Sequence, residues 1–287
     1  MNFDYIKPNT LTDALEYLEK ENAMVLAGGT DVVVNLKSGK INPSFLIDIK
    51  GLKELKGIEK IDGGIFIGAL TTVDEIKNSP LLSRYRALVE GAGVLGCLEI
   101  RYRATIGGNI CNGSPSADTV PGLLVYNAKV EIISKNGSRI IPLENFLIDA
   151  GKVDLRKGEL LKGVILPDLE ENSASRYYRV SRVKGMDLSS VAVAVYLKDV
   201  DLPVFSEIRI ALGAVQKTVV RMKNAEQYLQ GKPYTLQNID KAIEIILSEI
   251  NPRAGSLRAT PYYKKKMVGY LIKEAIREMK GGNILNE

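Results

Sequence analysis

The chain has 287 residues, enough for two domains, and its 45% hydrophobic and 25% charged residues are ordinary for a globular protein in water. It contains no histidine and only two cysteines, Cys97 and Cys111, which excludes a Ser-His-Asp triad, a Cys-His pair, a disulfide framework and any iron–sulfur cluster or thiolate zinc site built from this chain alone. The formal charge of +5 is spread along the sequence with no stripe of Lys and Arg interleaved with aromatics, so no nucleic-acid partner is expected. No apolar run approaches the roughly 20 residues that span a bilayer. The start, MNFDYIKPNT, has no basic region leading into an apolar stretch, so the expectation is a cytoplasmic protein with no membrane partner. Without histidine, redox or group-transfer chemistry falls to a bound cofactor.

In chain order, the start reads as a short βαβ unit. Thr10 or Thr12 caps a helix with Leu11, Ala14, Leu15 and Leu18 at helical spacing. Met24–Ala27 reads as a buried strand, Val32–Leu36 as a second amphipathic segment, and Phe45–Ile49 as the next strand. A looser stretch, 51–64, leads into Ile65–Ala69. Helices are expected at Thr72–Ser79 and Leu81–Gly91, with Pro80 between them, then a Gly-rich segment to Pro121 and strands at Lys129–Ser134 and Arg139–Pro142. Strands at Arg176–Arg182, Val191–Leu197 and Ile208–Val215 precede helices at Arg221–Leu229, Leu236–Ile250 and Thr260–Met279. This order gives an α+β protein: residues 1–172, divided again near residue 52, and a carboxy-terminal α+β domain over 173–287. The Tyr262–Lys266 stretch reads as a solvated helix start with its tyrosines packed inward.

Two glycine-rich turns carry the chemistry. In Val25-Leu26-Ala27-Gly28-Gly29-Thr30-Asp31 a buried strand runs into two glycines and a helix, an arrangement that lets backbone N–H groups approach a phosphate. It is neither GxGxxG nor a Walker sequence. Thr30 offers a hydroxyl, and Asp31 is expected to cap the helix or accept from a backbone N–H. The second, Thr105-Ile106-Gly107-Gly108-Asn109-Ile110 continued by CNGSPSAD to Asp118, gathers glycines, hydroxyls, amides and one carboxylate, the ingredients for a polyhydroxylated ligand with a pyrophosphate. Cys97 and Cys111 read as packing residues.

Together these segments resemble a known family. AGGTD at 27–31, followed by EIRYRATIGGNICNGSPSAD at 99–118, is similar to the FAD subunit of the xanthine dehydrogenase family of molybdenum hydroxylases, which includes the medium subunits of carbon monoxide dehydrogenase. YYRVSRVKGMDLSSVAVAV at 177–195, EIRIALGAV at 207–215 and AEQYLQG at 225–231 extend the resemblance over nearly the whole chain. It implies a two-subdomain FAD-binding domain of the vanillyl-alcohol-oxidase (PCMH) kind, subdomains about 1–52 and 53–172, with FAD between them, and then the smaller α+β domain. The implied FAD contacts are Val25, Leu26, Ala27, Gly28, Gly29, Thr30 and Asp31 on one wall and Thr105, Gly107, Gly108, Asn109, Cys111, Ser114 and Asp118 on the other. Leu160 and Leu161 match positions that flank the isoalloxazine, and Arg179 stands where many relatives have a Lys near the flavin.

The departures are Tyr102 in place of a frequent Asn, Glu99 in place of Gln, and Val183 at a position often basic. The resemblance further implies an oxidoreductase subunit without metal of its own. Its partners are a molybdopterin-containing large subunit and a small subunit with 2Fe–2S clusters, with NAD or another acceptor receiving the electrons. Asp118 is expected to need partners that the FAD supplies. The alternatives are a cofactor-free scaffold subunit of the same fold or a stand-alone flavin reductase.

Overall fold

The computed structural model describes residues 2–281. Among the described residues an α+β chain builds three larger sheets and one two-stranded ribbon. The first is a parallel sheet of β1 (Asp4–Ile6), β2 (Ala23–Leu26) and β3 (Phe45–Asp48) in the order β1-β3-β2, with α1 (Leu11–Leu18) and α2 (Val32–Lys37) as crossovers. Thr10 caps α1 by accepting from Asp13 N, and Ala14, Leu15 and Leu18 face inward as their spacing requires. On this sheet Asp48 is 3% exposed; it accepts from the Tyr5 hydroxyl and pairs with Lys50 at 2.7 Å. Because Asp48 is in register with Leu26, the cluster anchors the strand that launches the first glycine turn.

The second sheet is antiparallel, order β4-β5-β10-β6-β7: β4 (Ile58–Ile61), β5 (Gly64–Gly68), then β6 (Lys129–Ser134), β7 (Gly137–Pro142) and β10 (Leu160–Pro167). Between β5 and β6 lie α3 (Val73–Asn78), α4 (Arg86–Val94), α5 (Leu98–Arg101), α6 (Ile106–Cys111) and α7 (Val120–Val125). After β7 come α8 (Leu143–Phe146) and a small ribbon of β8 (Leu147–Asp149) and β9 (Lys152–Val153). The stretch expected to be loose contains β4, an edge strand with two charged residues at its centre. The central strand β10 also lies outside the expected elements; Lys162 and Gly163 break its apolar run, and its register shifts there.

The third sheet, β11 (Ser173–Val180), β12 (Val191–Lys198), β13 (Glu207–Gly213) and β14 (Val220–Arg221), is antiparallel, and α9 (Lys223–Leu229), α10 (Leu236–Glu249) and α11 (Pro261–Met279) follow it. Strand β12 is buried on both faces. Val191, Val193, Val195 and Leu197 pack with α9–α11, whereas Ala192, Ala194 and Tyr196 join the core of the second unit beside α4 and α7. Alanines on that face admit helices close to the sheet, and the larger valines fill the other. The start of α11 is phased opposite to expectation. Tyr262 is 72% exposed, while Lys264 is buried and donates to the Ala214 carbonyl at 2.6 Å.

Burial alone would raise the Asp48 carboxyl, but Lys50 and the Tyr5 hydroxyl outweigh it and hold it below the ordinary value. The native state therefore binds fewer protons than the unfolded chain, whose Asp titrates at about 3.9. The stabilisation is intact above that pH and is lost as pH falls through the lower folded value. Urea midpoints measured across the acid range are expected to fall less steeply in Asp48→Asn than in the wild type; parallel curves would remove Asp48 from the acid response.

Candidate functional site

A cleft of about 1080 Å³ opens between the first two units. Val25 and Ala27 reach it from the end of β2, and Leu26, one residue out of phase, turns into the opposite core with Leu36 and Leu46. Gly28 sits where a Cβ would stand 1.9 Å from the Arg103 carbonyl oxygen, so only glycine lets the two units meet here. Gly29 has φ of +81°, the left-handed region that glycine enters freely. The main-chain N–H groups of Gly28, Gly29, Thr30 and Asp31 donate to no group among the described residues. Asp31 occupies the cap position of α2 but makes no side-chain cap bond, contrary to expectation, and withdrawal from water raises its carboxyl. These amides are the open donors of the cleft.

The second turn is built differently. Thr105 caps α6 by accepting from Gly108 N at 3.0 Å; Ile106 N donates to Thr71 O and Gly107 N to Ala69 O. Its helix-start amides are therefore taken up by the fold itself. A Cβ on Gly107 would meet that of Ala69 at 2.6 Å, whereas one on Gly108 would meet only Thr105 Oγ1 at 3.1 Å and project into the cleft. Asn109 accepts from Thr119 Oγ1 at 2.6 Å, and Ser114 Oγ accepts from Ser116 N. The Cys111 thiol, on the same wall, is pushed up to about 12 by burial and stays protonated.

Leu160 and Leu161 open β10 and complete the cleft floor. Leu160 packs with the core of the first unit and Leu161 with that of the second, so successive residues of one strand join the two. At the far end the exposed pair Lys157–Glu21 crosses between the units.

The glycine motifs do not announce a third wall. Leu95, Gly96 and Ile100 around α5 and Met186, Asp187 and Leu188 between β11 and β12 also line the cleft. Asp118 lines it too, 4% exposed, and the protein itself supplies partners that the sequence did not reveal: Tyr177 Oη (2.6 Å), Ser189 Oγ and Arg179 Nη1 (2.9 Å). Arg179 does not reach the cleft itself. It stands behind Asp118 as a buried ion pair, its Nη1 also donating to the Asp187 carbonyl at 3.3 Å. Of the candidate residues, then, only the side chains of Leu26 and Arg179 are turned away from the cleft. Among the described residues no group of three or more His, Cys, Asp or Glu could hold a metal ion, and no helix is long and apolar enough to cross a membrane.

A two-unit cleft with open amides at a Gly-Gly turn, faced by a polar glycine-rich loop and floored by leucines, defines a dinucleotide-flavin carrier. Residues 1–169 match the family described as the FAD binding domain in molybdopterin dehydrogenase, and 176–279 the CO dehydrogenase flavoprotein C-terminal domain. Over 278 residues (96% of this chain, 94% of the relative) the sequence is 35% identical to a putative xanthine dehydrogenase FAD-binding subunit of Escherichia coli (strain K12). It is 29% identical over 291 residues (98% of both chains) to the nicotinate dehydrogenase FAD-subunit of Eubacterium barkeri. The fold superposes with a TM-score of 0.93, at 28% identity and 98% coverage of both chains, on a chain of carbon monoxide dehydrogenase from Hydrogenophaga pseudoflava that lacks the Mo-pyranopterin moiety. The chain belongs to the FAD-binding subunits of the molybdenum hydroxylase family; its cofactor is FAD and it is an oxidoreductase subunit.

The two glycines of α6 separate fold from binding. Gly107→Ala forces a Cβ into Ala69 and is expected to cost about 1–3 kcal/mol of stability. Gly108→Ala gains up to about 1 kcal/mol of helix propensity while narrowing the cleft. Thermal melts of the apo chain and flavin titrations check this. Gly108→Ala should melt no lower than wild type yet bind FAD more weakly; unchanged affinity would take Gly108 off the cofactor wall.

Proposed function

We propose that the chain is the flavin relay of a heteromeric molybdenum hydroxylase. It takes electrons from the 2Fe–2S clusters of a small partner subunit, fed in turn by a molybdopterin-containing large subunit, and its FAD passes them to NAD or another acceptor. The observation that carries this reading is the division of groups around the cleft. The walls can hold a flavin dinucleotide, yet the described residues assemble no group of His, Cys, Asp or Glu that could hold a metal ion, and the chain has no histidine to act as a general base. Bound FAD supplies two-electron chemistry on one side and single-electron chemistry on the other.

The chain's residues bind and orient it. The open amides of Gly28, Gly29, Thr30 and Asp31 suit the pyrophosphate, and Thr30 adds a hydroxyl. Val25, Ala27, Leu160 and Leu161 give an apolar seat for the ring system, with Thr105, Gly108, Asn109, Cys111, Ser114 and Asp118 opposite. Attachment is noncovalent on this reading: the chain has no histidine to form a flavin bond, and Cys111 serves as a packing residue of the wall.

The test is to purify the chain with whatever accompanies it, assay molybdenum and iron, and follow the flavin absorbance anaerobically. Two further polypeptides carrying those metals are expected, with bleaching of the flavin by NADH or by substrate of the large subunit. A metal-free single polypeptide that turns over alone would sink the relay reading in favour of a stand-alone reductase.

A further inference from the structure

The carboxylate of Asp118 is surrounded more completely than a strap between domains needs. Oδ1 accepts from two hydroxyls, Tyr177 Oη at 2.6 Å and Ser189 Oγ, and Oδ2 accepts from Arg179 Nη1 at 2.9 Å. All three donors belong to β11 or to the residues leading into β12, and Asp118 belongs to the cleft loop. Ser189 holds that loop a second time, its carbonyl accepting from Ser116 Oγ at 3.2 Å. Tyr177 is a fixed donor. Burial first, then the neighbouring carboxylate, push its hydroxyl well above the ordinary value, so the proton stays on the tyrosine.

A buried ion pair is an expensive way to join two surfaces, and apolar residues of like volume serve as well or better. Its retention on a cleft wall makes sense when the charge is presented to a ligand. A carboxylate offers about four lone-pair sites. Tyr177 and Ser189 fill Oδ1, and Arg179 takes one site on Oδ2, so the spare acceptor capacity on this wall lies on Oδ2.

We propose that Tyr177 and Ser189 are positioning residues for the FAD, resting on the reading that FAD occupies this cleft. They fix the Asp118 carboxylate so that Oδ2 is its available acceptor. Together with Arg179 they also disperse a negative charge that would otherwise oppose electron uptake by the cofactor. Neither residue touches the cleft space itself; both act through Asp118.

Tyr177→Phe and Ser189→Ala each remove one donor and little volume. In the otherwise intact protein, FAD titration and a spectroelectrochemical measurement of the bound flavin are compared with wild type. Each variant is expected to bind FAD about tenfold more weakly, the effect of losing one hydrogen bond to a charged group. Burial raises the Asp118 carboxyl and each deleted donor raises it further, so the flavin midpoint potential is expected to shift to more negative values at alkaline pH, where the less dispersed carboxylate stays ionised, and less so at lower pH. A purely structural role would lower the melting temperature but leave the affinity and potential of the folded fraction at wild-type values, and that result overturns the proposal. Should Tyr177→Phe fail to fold, Ser189→Ala, which deletes a single oxygen, carries the same comparison. A wild-type chain that takes up no FAD would overturn the cleft reading itself, whereas wild-type binding with unaltered variants overturns only the role of Tyr177 and Ser189.

Discussion

The cleft depends on how closely the Gly28 turn approaches the Arg103 carbonyl. Two backbones meet there with no side chain between them, since a Cβ at Gly28 would fall 1.9 Å from that oxygen. The contact fixes the end of β2 against the segment that precedes α6, and so sets the distance between the two walls. A similar approach of Gly107 to Ala69 seats α6 on the end of β5. With both contacts in place the first turn is held in the open and its amides stay free, while the second turn spends its own amides on Thr71, Ala69 and Thr105. Two sequences that look alike on paper thus do different work: one offers donors, and the other is the scaffold that keeps them in reach.

The third sheet makes the cleft more than a two-unit device. Because β12 is buried on both faces, with alanines toward α4 and α7 and valines toward α11, the carboxy-terminal unit shares a core with the unit that bears the second turn. That shared core is why donors from β11 arrive at Asp118 in a position to bond it. A domain joined by a flexible linker could not hold three donors on one carboxylate, since ordering each group costs entropy that a fixed sheet has already met.

Much of this was legible in the sequence where one physical signal dominated. Apolar runs gave β2, β3, β6, β12 and β13, a Thr cap with periodic apolar residues gave α1, and helical patterning gave α10 and α11, whose caps Thr235 and Thr260 the structure adds. Both glycine turns were visible as motifs, and most of their residues do share one cleft. Strand β10 was hidden because Lys162 and Gly163 interrupt its pattern, and β4 because an edge strand needs few apolar residues. The partners of Asp118 lie 59 to 71 positions away, a separation no local pattern encodes. The phase of α11 is written in its apolar spacing. Val268, Leu271, Ile272, Ala275 and Ile276 define its inner face, and four residues back from Val268 is Lys264, not a tyrosine.

Lys264 shows why that phase holds. A buried ammonium is costly, and burial lowers its pKa, so it needs an acceptor on the inner face. The Ala214 carbonyl provides one, and the Ala214 N–H donates in turn to Pro115 O at 2.7 Å in the cleft loop. Ala214 takes a positive φ of 62° to make both bonds, a conformation a residue with a Cβ seldom adopts. One strained residue at the end of β13 thus joins the last helix to the loop that carries Asp118. The cleft loop is tied to the carboxy-terminal unit at Pro115, Ser116 and Asp118. Its rigidity therefore comes less from its own glycine-rich sequence than from the sheet against which it lies.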